Sequence, residues 1–195
     1  GILDTLAECD YADDTIILFL SDHGEMLGER GLWFKMSFFD GSSRVPLFIH
    51  APKQFDAANI TAAASTLDVL PTLVDLAGGD VPADIDGHSL VRACNGKPEV
   101  RPVFSEYAAE GSIAPMVMVR EGAYKLNVCP ADDEQLFDLE NDPLELNNLA
   151  DDPAYSKTRE RLKRLVDERY DFPSLTSDVL NSQSQRLLVY EALRN

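Results

Sequence analysis

Six apolar or β-branched residues stand in unbroken succession in TIILFL (15–20), between an acidic pair and Ser-Asp-His-Gly. A second such run, VPLFIHAP (45–52), ends on an Ala-Pro breaker. Continuous rather than alternating hydrophobicity predicts strands covered on both faces, as in parallel sheets. Between 65 and 78 the spacing changes, with apolar residues at 67, 69, 70, 73, 74 and 76. That stripe predicts a helix, with Ser65 or Thr66 as its cap and Gly78-Gly79 as its stop. Strand, strand and helix around polar loops predict α/β architecture, with ligands at the carboxyl ends of the strands.

From about residue 100 the texture changes. RPVFSEY (101–107), MVMVREG (116–122), AYKLNV (123–128) and EQLFDL (134–139) are short strand-like segments punctuated by Gly, Pro and Asp. They predict a small antiparallel sheet with REGAYK as its tightest hairpin. An acidic, turn-rich loop, NDPLELNNLADDP, follows. AYSKTRERLKRLVDERYDF (154–172) places apolar residues 162, 165 and 166 among charges, an amphipathic surface helix. A last helix is expected over 177–195, capped by Ser177 or Asp178.

Charge narrows the range of partners. Lys+Arg number 17 against Asp+Glu 34, a formal net charge of −17, which repels phosphate backbones and anionic lipid. No nucleic acid or membrane partner is expected, and no apolar run reaches the roughly 18 residues that a span needs. The three cysteines, Cys9, Cys94 and Cys129, form no CxxC and leave an odd number, which fits a reducing, cytoplasmic setting. The chain opens inside what reads as a helix leading into a strand, without a methionine, and is expected to be a fragment.

The chemistry concentrates where the first strand ends, in SDHGEMLGERGLWFKMSFFDG (21–41). Asp22 and His23 offer one oxygen and one nitrogen ligand to a divalent cation, and Gly24 lets the backbone turn beside them. The bland alternative makes Asp22 a helix cap and His23 a polar loop residue. Lys35, thirteen residues after Asp22 and within the apolar LWFKMSFF, either snorkels to water or holds an anion in a partly dry pocket. Of the other candidates, His50 and His88 read as structural, and Arg44 as a partner for Asp22 or Asp40. Glu106, Tyr107 and Glu110 combine acid and aromatic groups, as a quaternary ammonium site requires.

The stretch SDHGEMLGERGLWFKMSFFDGSSRVPLFIHAP, followed by DGHSL (86–90) and QLFDLENDPLELNNLA (135–150), resembles the carboxyl-terminal half of sulfatases in the alkaline phosphatase superfamily. Within that family, the segment from EYAAEG to QLFDL and the tail SQSQRLLVYEALRN look most like choline sulfatases. The resemblance implies that residues 1–98 are the carboxyl-terminal part of the α/β catalytic domain. Residues 99–195 would then be a small sheet-and-helix subdomain, packed by a C-terminal helix. It assigns Asp22 and His23 to a catalytic calcium or manganese ion and Lys35 to the sulfate group. The implied substrate is a small sulfate ester such as choline-O-sulfate. Phosphonate or phosphate monoester hydrolysis on the same scaffold is the alternative, as is a non-catalytic association module. An intact enzyme of this branch is expected to be a homo-oligomer.

One departure matters. No Cys or Ser in this sequence stands in the Cys/Ser-x-Pro/Ala-x-Arg motif that sulfatases oxidise to formylglycine. Two ligands also fall short of the six or so that a hard divalent ion wants. The resemblance therefore places the nucleophile and the remaining ligands on an amino-terminal part, and these residues alone are expected to be inactive.

Overall fold

The structure, a computed structural model, describes residues 1–194. Helix α1 (Ile2–Glu8) precedes β1 (Ile17–Leu20), which pairs with β4 (Leu47–His50). Between them lie a short hairpin of β2 (Met26–Leu27) and β3 (Trp33–Phe34), and a one-turn helix α2 (Asp40–Ser43). Helix α3 (Val69–Leu76) and the short α4 (Val91–Cys94) follow. The second half is a four-stranded sheet, in the order β5 (Val103–Tyr107), β6 (Met116–Glu121), β7 (Tyr124–Cys129), β8 (Asp132–Asp138). Helices α5 (Ser156–Arg169) and α6 (Phe172–Arg194) follow the sheet.

The α/β character and the antiparallel meander match the sequence reading, and the REGAYK hairpin closes through Gly122 at φ 60° between Glu121 and Tyr124. Ser65 caps as expected, its hydroxyl accepting from Leu67 N at 3.2 Å, while Asp68 accepts from Ser65 N at 2.8 Å. Three expectations need correction. β1 and β4 run antiparallel, with Ile17 opposite His50 and Leu20 opposite Leu47. An apolar run reports that both faces of a strand are covered, not which way its neighbour points. Nor is this pair covered among the described residues, since Phe19 and Phe48 stack at 4.9 Å and are both about half exposed. Finally, α6 begins at Phe172, so Ser177 and Asp178 lie inside it rather than capping it, and the expected last residue, 195, lies outside the described residues.

The core sits between the meander and α5. Val117, Val119, Leu126, Val128 and Leu136 point from the sheet onto Leu162 and Val166 of α5, with Ala150 beside them. Period-two alternation along the strands delivers that face, and the i, i+4 pair on α5 completes it. α5 supplies the buried residues that pack the sheet; α6 buries none of its described residues, and its Phe172 packs at the edge of that core. Replacing Leu162, wholly buried, by Ala is expected to cost about 3 kcal/mol in denaturant unfolding. A loss below about 1 kcal/mol would mean that α5 is peripheral to the fold. The opposite face of the sheet carries Lys125 and Phe137, and Phe137 meets Phe39 with ring centroids 5.9 Å apart. The sheet thus has one face for its own core and one for the segment around α2. No helix among the described residues is long and apolar enough to cross a membrane.

Candidate functional site

Asp22 and His23 follow β1 directly. The His23 backbone N–H donates to Asp22 Oδ1 at 2.9 Å, and this bond holds the Asp22 carboxyl below the usual carboxylate range. The Ser21 hydroxyl donates to the His23 carbonyl at 2.9 Å and lies 3.3 Å from Asp22 Oδ1, so the loop is tied on both sides. His23 Nδ1 is 2.7 Å from the Gly24 carbonyl oxygen. A carbonyl can only accept, so in the neutral ring Nδ1 carries the hydrogen and Nε2 presents its lone pair.

That lone pair lies 3.4 Å from Asp22 Oδ2. Two electron-rich atoms facing each other at this spacing suit two ligands of one cation, and the Nδ1–carbonyl bond is the outer support that metal-bound imidazoles commonly have. Asp22 is largely exposed, and the loop hydrogen bonds from Ser21 and His23 reach its Oδ1 rather than its Oδ2. The pair fits a divalent metal as two of its ligands. Among the described residues no group of three or more His, Cys, Asp or Glu could complete a site.

Lys35 shares an open depression of about 360 Å³ with His23, Glu25, Phe34, Met36 and Glu110. It is exposed, so the dry pocket considered for it is not formed by the described residues. Of the three residues grouped as a possible ammonium site, the structure brings only Glu110 here. Glu106 lies on the α5 side of the sheet and accepts from Tyr170 Oη at 3.1 Å. The Tyr107 hydroxyl donates to the Glu110 carbonyl at 2.7 Å and braces that loop. Arg44 pairs loosely with Asp40, at 3.6 Å, rather than with Asp22.

His50 is exposed at the end of β4, and His88 donates its backbone N–H to Asp68 at 2.8 Å, a structural role. The cysteines are unpaired, and burial pushes the Cys94 thiol up, as expected for an unreactive group.

The backbone of α2 carries the site. Gly24 N donates to Ser42 O at 2.7 Å and Glu25 N to Gly41 O at 2.8 Å, while Ser42 Oγ donates to Lys35 O at 2.6 Å. One buried serine thereby joins the His23 loop to the lysine loop. Behind it lies a buried cluster that sequence reasoning missed. Lys125 Nζ donates to Phe38 O at 2.8 Å and to Asp40 Oδ1 at 2.7 Å, and is 2.5 Å from Glu145 Oε1. The available signal was a lysine at an inward-facing position of a strand, in AYKLNV.

The sequence profile of the family described as N-sulphoglucosamine sulphohydrolase, C-terminal, matches residues 28–171. A choline-sulfatase of Rhizobium meliloti (strain 1021) is 51% identical over 200 residues, covering 100% of this chain and 39% of the relative. The chain thus spans about two fifths of the length of the curated relatives that it matches. Among solved structures, a 2-O GAG sulfatase superposes with a TM-score of 0.77 at 31% identity, over 93% of this chain and 41% of that one. The phosphonate monoester hydrolase of Silicibacter pomeroyi gives 0.73 at 30% identity, over 85% and 36%. With the family profile spanning β3, the α2 segment, the meander and α5, the chain belongs to the sulfatases of the alkaline phosphatase superfamily, matching their carboxyl-terminal region.

Proposed function

We propose that this chain forms one wall of the active site of a sulfate-ester hydrolase whose substrate is choline-O-sulfate. The observation that carries the reading is the convergence of His23, Lys35 and Glu110 on one depression beside Asp22. Asp22 Oδ2 and His23 Nε2 would hold a calcium or manganese ion together with ligands from the amino-terminal part. When bound, that metal supplies electrophilic polarisation of a sulfate oxygen. The Lys35 ammonium binds the remaining sulfate oxygens and balances charge that grows on them. Glu110 places a carboxylate where the cationic end of choline would extend, and Phe34 adds an aromatic edge to the same depression. The formylglycine nucleophile belongs to the amino-terminal part on this reading, and the apolar residues of α6 are where a homo-oligomer would form. The name of the 51%-identical relative supports the choice of ester.

The likeness to a phosphonate monoester hydrolase favours a second reading, since a tetrahedral oxyanion site separates sulfur from phosphorus weakly. The full-length protein, assayed for sulfate release from choline-O-sulfate and for hydrolysis of a phenyl phosphonate, decides between them. A kcat/KM for the sulfate ester about 10²-fold above that for the phosphonate is expected. The reverse order selects the second reading, and turnover of neither leaves a non-catalytic module. Residues 1–195 alone should release no nitrophenol from nitrophenyl sulfate, and robust metal-dependent release there would contradict the placement of the nucleophile elsewhere.

A further inference from the structure

We infer that Lys125, Asp40 and Glu145 are positioning residues that set the active-site wall from the far side of α2. The inference rests on the site proposed above. Lys125 is 1% exposed and Glu145 about as buried, and the polar contacts of their side chains end on the 38–40 segment or on each other. Glu145 Oε2 accepts from Asp40 N at 2.6 Å, so the two carboxylates bracket one ammonium and the start of α2. Arg30 reinforces the join, with its guanidinium 4.2 Å from the Phe39 ring centroid and donating to the Leu144 carbonyl at 2.8 Å and to the Glu145 carbonyl.

A fold that needed only stability there could have used apolar residues of similar volume at less desolvation cost. What the ionic cluster adds is geometric definition. An ammonium held by one carbonyl and two carboxylates fixes the α2 segment to within a hydrogen-bond length. From α2 the restraint passes in one step to Lys35 through Ser42 Oγ, and in one step to Gly24 and Glu25 through the carbonyls of Ser42 and Gly41. Lys125 on β7 and Glu145 in the loop after β8 therefore determine where His23 and Lys35 stand, although neither lines the depression.

The test uses the full-length protein and three variants. Glu145→Gln keeps shape and an acceptor for Asp40 N but removes one charge from the cluster. Lys125→Met removes the ammonium. Leu162→Ala weakens the core on the other face of the same sheet. Amide hydrogen exchange at Gly24 and Glu25 reports the α2 restraint directly, without reference to any substrate. Glu145→Gln is expected to speed that exchange about tenfold or more. It should also lower kcat and the affinity for added manganese 10- to 100-fold, with KM within about threefold of the parent. Lys125→Met should do the same more strongly where it folds, and Glu145→Gln decides alone where it does not. Leu162→Ala should lower the melting temperature while leaving exchange at Gly24 and Glu25 as in the parent. Unchanged exchange in Glu145→Gln, or equal acceleration in Leu162→Ala, overturns the inference. A parent protein that hydrolyses no sulfate ester refutes the proposed function instead, and the exchange result still decides the positioning role.

Discussion

On the proposed function, alanine at Asp22 is expected to lower kcat/KM of the full-length protein for choline-O-sulfate by about 10³-fold or more, and to lower its metal content. Losing a charged oxygen ligand costs several kcal/mol of transition-state stabilisation, and about 4 kcal/mol is three decades in rate. The local geometry makes this variant a clean one. Asp22 is almost fully exposed and its Oδ1 accepts only from its own loop, so truncation opens no cavity and strands no buried partner. Fold stability should therefore stay within about 0.5 kcal/mol, as for ordinary surface changes. Activity and stability separate in this variant, and metal content measured after dialysis separates them further. Turnover within about tenfold of the parent, with metal retained, would remove Asp22 from the ligand set.

The same residues were legible in the sequence. Asp22, His23 and Lys35 lie within fourteen positions of one another, immediately after an apolar run, so the oddity of each is visible against its neighbours. The meeting of His23 and Lys35 on one depression, with Asp22 next in the chain, follows from local chain path, which short-range pattern encodes. The meander and α5 were legible for a related reason, because alternation and the i, i+4 stripe report a single buried face. Strand direction was not. Residues 21–46 between β1 and β4 are long enough for either sense of pairing, and hydrophobicity is blind to it. The Lys125 cluster was hidden by distance along the chain, since its partners lie 85 residues away at Asp40 and, for the Asp40–Glu145 contact, 105. Glu106 and Glu110 show the intermediate case. They are near in sequence, but one is on β5 and faces Tyr170, while the other is in the following loop and turns to the site. Composition grouped them, and the end of β5 separated them.

Gly24→Ala is the second large effect, and it acts through the backbone. A methyl group at this position would lie 2.2 Å from the Gly41 carbonyl oxygen and 3.2 Å from that of Ser42. Neither atom belongs to a side chain that could swing away, so the loop itself must retreat. Doing so opens the Gly24–Ser42 and Glu25–Gly41 hydrogen bonds, each worth roughly 0.5–1.5 kcal/mol. With residual strain the expected loss is about 3 kcal/mol in denaturant unfolding. Because those bonds hold the carbonyl that orients His23, a displacement near 1 Å should also lower kcat/KM about 10²-fold. Gly31→Ala provides the contrast. That glycine has φ 72° but no atom within 4 Å of an added methyl, so only left-handed strain of about 1 kcal/mol applies. Its turnover should match the parent. If Gly24→Ala were as mild as Gly31→Ala in both stability and turnover, the close approach of the His23 loop to α2 would not be what holds the ligands in place.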